Sequence, residues 1–234
     1  MAQDTAFSVK ITLNVGGRVM NLATPKVMGI INITPDSFYQ KSRFENEKEV
    51  LNKVEEMIDE GADFIDIGGY SSRPGADDIT IEEEIDRVAK HIQNIATKFP
   101  GTPISIDTFR SEVAKVAVEA GANVVNDISG GQIDKTMFQT IGELKVPYIL
   151  MHMKGTPQTM VRETSYENLL FEMIDYFQSK MSILRDHGVK DIVIDPGFGF
   201  AKTKEQSYEV LRRLQSFSLL EVPILAGVSR KSMI

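Results

Sequence analysis

Residues 191-DIVIDPGFGFAKTKEQSYEVLRRLQS-216 contain the pattern on which the fold prediction rests. The apolar run at 191–195 is typical of a buried strand. The segment DPGFGF follows it and is rich in turn-forming proline and glycine. Residues 203–216 then carry apolar side chains at helical spacing. This stretch therefore predicts one strand, one loop and one helix in succession.

The same unit recurs along most of the chain. Further apolar runs predict strands at 27–33, 63–67, 103–106, 123–126, 147–151 and 223–228. Further amphipathic stretches predict helices at 45–60, 80–97, 110–120, 134–144 and 165–186. Thr80 and Glu83 form a capping box at the start of one helix, and Gly61 ends another. Seven strands alternating with helices predict either a doubly wound sheet or a (β/α)8 barrel.

The first part of the chain has a different pattern. Residues 7–24 contain two alternating segments around Gly16-Gly17, which predicts a β-hairpin. No long linker or change of composition follows. We therefore expect residues 1–234 to form a single domain that begins with this hairpin.

The composition narrows the classes of function. The net charge is −7 and the sequence pI is about 5.1, which argues against nucleic acid or an anionic membrane as the main partner. The chain has no cysteine, so disulfides, thiolate metal sites and cysteine nucleophiles are excluded. No signal peptide is recognisable, and no apolar stretch approaches the roughly 18 residues of a membrane span. We expect a cytoplasmic protein that binds small molecules.

Each predicted strand ends in a polar or glycine-rich cluster. In a barrel, the carboxyl ends of all strands meet at one face, where active sites are built. The clusters lie at 32–38, 66–75, 107–108, 126–127, 151–153, 195–200 and 229–232. Residues far apart in the sequence are therefore expected to line a single site at this face of the barrel.

The side chains in these clusters suit a small, planar, polar ligand. Asp195 can accept two parallel N–H bonds from a guanidine-like edge, and Asn126 can both donate and accept. Met151 and Phe200 offer apolar walls. Lys231 or Arg73 can bind an anion, as can the N-terminus of a helix expected to begin at 229–232.

Simpler interpretations stand beside these. An aspartate at a strand end is often only a turn former or a helix cap, and Asn32 could merely cap a turn. Gly197 and Gly199 could serve a tight turn, since the phosphate-loop pattern GxxxxGK[ST] is absent. His152, between two methionines, could be a satisfied wall residue. Repetition at strand after strand favours the functional interpretation.

Several motifs occur in an order that resembles the dihydropteroate synthases. They are MGIINITPDSF, DIGGYSSRPGA, SIDTFR, VVNDISGG, MHMKGTPQTM, DPGFGF and GVSRKS, and they extend from about Met28 to the last residue. The resemblance implies a (β/α)8 TIM barrel with an N-terminal hairpin. It also implies the condensation of 6-hydroxymethyl-7,8-dihydropterin diphosphate with p-aminobenzoate, assisted by Mg²⁺, in an enzyme that is typically a homodimer.

The resemblance also implies roles for particular residues. The pterin would contact Asp107, Asn126, Met151, Asp195, Phe200 and Lys231. The p-aminobenzoate would lie among Phe38, Ser72, Pro74 and Ser232. Asn32 corresponds to the family's asparagine near Mg²⁺. Asp107, Lys231 and Arg73 would be the catalytic residues, with Asp107 stabilising the cation left when diphosphate departs.

The chain departs from the family pattern in two places. Tyr70 stands where the family usually has an acid, and Ser72 where it usually has threonine. The sequence supplies seven strand segments, whereas the family has an eighth strand with an Arg-x-His pair and a helix after it. We therefore expect a partial chain. Two alternatives stay open: a methyltransferase acting between methyltetrahydrofolate and a corrinoid protein, and a pterin-binding remnant without turnover.

Overall fold

The fold is seen in a computed structural model that describes residues 11–33, 43–71, 78–231 and 233–234, with only the backbone of 43–46. It opens with an antiparallel hairpin of β1 (Thr12–Val15) and β2 (Arg18–Asn21). Gly16 and Gly17 form the turn with φ of +57° and +80°, a conformation that glycine adopts without steric cost. The predicted hairpin is confirmed for these residues, while 7–10 lie outside the described part.

Six parallel strands follow, each beside its predecessor in the chain. They are β3 (Met28–Asn32), β4 (Phe64–Gly68), β5 (Ile104–Asp107), β6 (Val124–Asp127), β7 (Tyr148–Met151) and β8 (Ile192–Asp195). A doubly wound sheet would reverse its strand order at a switch point, and this sheet does not. The predicted α/β barrel architecture is therefore confirmed over the doubly wound alternative.

Helices connect these strands. They are α1 (Arg43–Asp59), α2 (Ile81–Lys98), α3 (Ser111–Glu119), α4 (Met137–Leu144), α5 (Leu169–Asp186) and α6 (Lys204–Arg212), with 3₁₀ turns at Met160–Arg162 and Leu214–Leu220. The capping box at the start of α2 is confirmed: the Glu83 N–H donates to Thr80 Oγ1 at 3.2 Å. None of the helices in the described ranges is long and apolar enough to cross a membrane.

The seventh predicted strand, 223–228, forms only in its first residues. Ile224 makes one parallel bridge to Ile194, where the Leu225 N–H donates to the Ile194 carbonyl at 2.8 Å. The Val228 N–H then turns back to the Ala226 carbonyl, so the backbone leaves the sheet. Within the described ranges, β3 therefore has a neighbouring strand on one side only.

The helix expected at 229–232 is wrong for the described residues. The backbone there forms turns, and Arg230 has a φ of +56°. This left-handed conformation interrupts a right-handed helix. The described residues therefore provide no helix N-terminus that could bind an anion at this point.

The barrel interior changes from apolar to polar along the strands. At the amino end, Leu13 and Val15 of the hairpin pack against Phe64, Val124 and Val193. Since every second strand residue points inward, the next inward positions are Asp66, Asn126 and Asp195. The hairpin therefore covers an apolar floor, and the polar layer lies above it, toward the carboxyl ends of the strands.

Candidate active site

The predicted site residues divide into two groups. Five lie outside the described residues: Phe38, Ser72, Arg73, Pro74 and Ser232. The other seven lie on the carboxyl halves of strands or in the loops that follow them: Asn32, Asp107, Asn126, Met151, Asp195, Phe200 and Lys231. The strand order brings this second group to one face, as the sequence predicts.

Three carboxyl groups, here called the interior aspartates, line this face: Asp66, Asp107 and Asp195. Burial raises the pKa of each of them. Repulsion among the carboxylates adds to this, since Asp66 raises the pKa of Asp107 and Asp195 raises that of Asp66. Asn126 donates from Nδ2 to Asp66 Oδ2 at 3.3 Å. Such a group of acceptors is suited to a ligand that brings several N–H donors.

Asp195 and Lys231 meet at the far side of the site. Asp195 Oδ1 accepts the Gly197 N–H at 2.7 Å, which fixes the carboxylate in one orientation. A β-carbon at Gly227 would lie 3.6 Å from Lys231 Nζ and 3.8 Å from Asp195 Oδ2. Burial lowers the pKa of Lys231, and the Asp195 carboxylate opposes that effect. Lys231 and Asp195 are therefore electrostatically coupled on either side of the space above Gly227.

Apolar side chains wall the same space. Met151 is buried in a cluster that includes Phe109, Ile128 and Met153, and Phe200 packs against this cluster. Lys231 Nζ lies 4.8 Å from the centre of the Phe200 ring, at cation–π distance. The site thus combines a polar edge with apolar faces, which is the chemistry of a slot for a flat heterocycle.

The outer edge of the site, here called the rim, carries the side-chain oxygens of Asn32 and Asp107, which are suitable metal ligands. A β-carbon at Gly68 would lie 3.1 Å from Asn32 Oδ1 and 3.6 Å from Asp107 Oδ2, so the glycine keeps open the space between an amide and a carboxylate. Mg²⁺ prefers oxygen ligands and usually keeps waters and substrate phosphates in its shell. The donor set fits a metal shared with a phosphorylated ligand. No group of three or more His, Cys, Asp or Glu side chains among the described residues forms a metal cage.

Asp127 is an aspartate at a strand end that forms a turn, which is the simpler of the two interpretations of such residues. Its carboxylate accepts the N–H groups of Ser129 at 2.7 Å and Gly131 at 2.9 Å, and the Tyr148 hydroxyl at 2.6 Å. Asp127 therefore shapes the loop after β6. His152 is also a wall residue, as the alternative held: it is 2% exposed, and burial followed by the nearby Lys202 charge lowers its pKa to about 2.

Two polar residues received no role from the sequence. Asp66 Oδ1 and Ser105 Oγ are buried without a hydrogen-bond partner among the described residues. They lie on neighbouring strands in direct register, one inward position below Gly68 and Asp107. The sequence does contain a sign of Asp66, because this charged residue interrupts the apolar run FIDI. It lies two residues after Phe64, so both side chains point to the same side of the strand.

A separate cavity lies at the opposite end of the barrel. It measures about 350 Å³ and is lined by apolar residues of the hairpin and the strand starts, including Leu13, Met28, Phe64 and Leu225. None of the predicted site residues lines it. This cavity is therefore separate from the candidate active site.

The sequence model of the family described as "Pterin binding enzyme" matches residues 28–234. The dihydropteroate synthase of Synechocystis sp. is 44% identical over 210 residues, which cover 89% of this chain and 72% of that protein. The Yersinia pestis dihydropteroate synthase, solved with a sulfonamide drug, superposes with a TM-score of 0.88 at 35% identity, covering 95% and 81% of the two chains.

The Xanthomonas albilineans dihydropteroate synthase, solved in complex with 7,8-dihydropteroate, gives a TM-score of 0.83 at 32% identity and covers 95% and 79% of the two chains. These likenesses extend over the strands and loops that carry the interior aspartates. The chain therefore belongs to the pterin-binding enzyme family and is a dihydropteroate synthase within it.

Proposed function

We propose that this chain forms 7,8-dihydropteroate and diphosphate from 6-hydroxymethyl-7,8-dihydropterin diphosphate and p-aminobenzoate, with residues 1–234 acting as one pterin-binding barrel domain. The observation that carries the proposal is the meeting of Asp107, Asn126, Asp195 and Lys231 at the carboxyl face. The family membership supports the same reaction.

The pterin is assigned to the interior of the barrel. Its guanidine-like edge suits Asp195, whose carboxylate keeps lone pairs free after accepting the Gly197 N–H. Asn126 offers a donor and an acceptor beside Asp66. Met151 and Phe200 cover the flat faces of the ring. This arrangement orients the methylene carbon of the pterin toward the rim.

The reaction then needs no protein nucleophile. The bond between the methylene carbon and the diphosphate oxygen breaks, and the bonding electrons leave with diphosphate. The Asp107 carboxylate stabilises the resulting cation, while Lys231 lies against the ring. The amine nitrogen of p-aminobenzoate attacks the carbon and loses one proton to solvent or to the diphosphate.

Mg²⁺ is assigned to the rim, with Asn32 as its protein contact. When bound, the metal neutralises charge on the departing diphosphate. The five predicted residues outside the described part keep their roles as proposals: Phe38, Ser72, Pro74 and Ser232 around p-aminobenzoate, and Arg73 as a catalytic cation. A homodimer and a cytoplasmic location also remain predictions, and sedimentation analysis tests the first.

The test is a direct assay of dihydropteroate formation from the two substrates, with and without Mg²⁺. We expect product that depends on the metal, and at least a hundredfold loss of kcat for Asp107→Asn. Asp127→Asn is the matched control, because it makes the same substitution at a buried aspartate that only shapes a loop. Pterin binding without product in the wild-type protein would overturn the proposal in favour of the binding-remnant alternative.

A further inference from the structure

Lys202 is a buried lysine with an unusual set of partners. It is 6% exposed and follows directly after the DPGFGFA segment. Its Nζ lies 3.0 Å from the Phe200 carbonyl and 3.2 Å from the Gly197 carbonyl, both in the loop after β8. It also lies 3.3 Å from the His152 carbonyl and 2.9 Å from His152 Nδ1, just after β7. One ammonium group therefore joins two neighbouring loops of the site.

His152 is held where it can accept this bond. Its ring packs edge-on against Tyr176, with the centroids 4.9 Å apart. Burial and the Lys202 charge keep the imidazole neutral, so in the tautomer with its proton on Nε2 the Nδ1 atom accepts a hydrogen bond from the lysine. The His152 N–H donates to the Asp195 carbonyl at 2.9 Å, so the same residue also continues the pairing of β7 with β8.

The packing around the two loops leaves little room for change. Gly197 has a φ of +66°, and a β-carbon there would lie 2.4 Å from the His152 carbonyl oxygen. The Tyr166 hydroxyl donates to the Ala201 carbonyl at 2.8 Å. The backbone at 195–202 is thus held on its buried side by several hydrogen bonds, while its other side carries Asp195 and Phe200 toward the site.

We propose that Lys202 is a positioning residue for the pterin slot, acting through the backbone of the two loops that carry Met151, Asp195 and Phe200. It touches no substrate itself. Lys202 donates to the Gly197 carbonyl and so holds the residue whose N–H orients the Asp195 carboxylate. It also donates to the Phe200 carbonyl and so holds the backbone that positions the Phe200 ring. This inference rests on the proposed function, because it concerns the same site.

The charges around Lys202 fit this role. Burial lowers the pKa of Lys202 to about 7; the Asp195 carboxylate opposes that effect, and the charges of Lys231 and Lys154 add to it. The Lys202 charge in turn lowers the pKa of Asp195, although burial outweighs it. Lysines thus lie on both sides of Asp195, with Lys231 facing the ligand space and Lys202 behind the loop.

The experiment compares steady-state kinetics of wild type, Lys202→Met, His152→Leu and Val210→Ala. Lys202→Met keeps the apolar stem and removes every N–H, and His152→Leu removes one acceptor. Val210 is fully buried in α6 and belongs to the main apolar core, so its truncation reports a general loss of packing. Folding of each variant is checked by thermal unfolding.

We expect Lys202→Met to raise the KM for the pterin diphosphate about tenfold or more, since hydrogen bonds from a charged donor are lost, and to change the KM for p-aminobenzoate less than about twofold. His152→Leu should raise the same KM by a smaller factor. This variant tests the positioning role if Lys202→Met fails to fold. Val210→Ala lowers the melting temperature and changes neither KM. Equal changes in both KM values, or no change beyond that of Val210→Ala, would overturn the inference.

A second measurement separates this inference from the proposed function. Calorimetric titration with 6-hydroxymethylpterin measures occupation of the slot without turnover. If the wild type made no dihydropteroate, the proposed function would fail, while weaker pterin binding by Lys202→Met would still support the positioning role. Equal pterin affinity in wild type and Lys202→Met would refute it in either case.

Discussion

Replacing Asp195 by asparagine tests the assignment of the pterin edge. The substitution preserves shape, and the amide oxygen can still accept the Gly197 N–H that Asp195 Oδ1 accepts at 2.7 Å. It removes the negative charge facing Lys231 and replaces one acceptor oxygen by an N–H₂ group. The loop geometry is therefore retained while the recognition chemistry is lost.

The expected magnitude follows from the bonds that disappear. Hydrogen bonds to a charged group each contribute about 1.5–3 kcal/mol, and the edge of the ligand brings two N–H donors. Taking the lower figure for both gives a loss of about 3 kcal/mol, which is roughly a hundredfold in Kd. Isothermal titration with 6-hydroxymethylpterin measures this directly, and thermal unfolding shows whether the variant is folded.

Asp127→Asn is the internal comparison for this prediction. Asp127 is as deeply buried as Asp195, and its carboxylate accepts from Ser129, Gly131 and Tyr148. We expect it to lose about 1–3 kcal/mol of stability and to keep its pterin affinity within about threefold. A folded Asp195→Asn protein that binds pterin within threefold of wild type would refute the assignment of that carboxylate to the ligand edge.

Three further predictions concern stability and pH. Gly130→Ala should lower the free energy of unfolding by at least about 2 kcal/mol in urea titrations, because Gly130 has a φ of +58° and its β-carbon would collide with the Tyr176 hydroxyl; a loss below 0.5 kcal/mol would contradict this. Asp66→Asn should raise the free energy of unfolding at neutral pH, because burial raises the pKa of this carboxyl above its unfolded value. The folded wild type therefore binds more protons than the unfolded chain, so the advantage of the variant grows as pH rises and vanishes below about pH 4. A variant less stable than wild type at neutral pH would be the opposite result. Pterin affinity should increase with pH, because burial raises the pKa values of the interior aspartates and only their ionised forms accept the ligand's N–H groups. Pterin binding should therefore release protons, which calorimetric titrations in buffers of different ionisation enthalpy measure. Proton uptake on binding would contradict this prediction.

The architecture could be predicted from the sequence because one βα pattern recurs with little variation. The first and last residues of helices were harder to predict where side chains hydrogen-bond to the backbone at the helix end. The helix predicted from 134 begins at Met137, since Asp134 accepts the N–H groups of Ser111 and Thr136 and holds the preceding residues in a turn. Such side-chain bonds between distant segments carry no signal at helical spacing.

The end of the sheet was overestimated for a related reason. The run 223–228 has the apolar composition of a strand, yet strand pairing requires a neighbour as well as a suitable sequence. Only Ile224 bridges to Ile194, and the Val228 N–H bonds within its own segment. Composition predicted the segment's position beside β8 but could not predict how far the pairing extends.

The place of the candidate site in the fold could be predicted where its residues lie at or just after the ends of strands. Asp107, Asn126, Asp195 and Lys231 converge as expected because strand direction alone fixes their side of the barrel. Lys202 was not predicted, since its partners are mainly backbone carbonyls. A lysine that binds carbonyl groups of two loops has no motif, and only the three-dimensional packing reveals it.

The apolar floor beneath the interior aspartates has a consequence for the order of kinetic events. Asp66 lies two residues before Gly68, so it is about 7 Å deeper along the strand than the rim where Asn32 and Asp107 meet. With the hairpin beneath the floor, a ligand in the deep layer is covered by whatever occupies the rim. We therefore expect the deeper substrate to bind first and a ligand that binds afterwards at the rim to block its release. Steady-state rates should accordingly follow a compulsory-order pattern, in which excess rim ligand slows departure of the deep one.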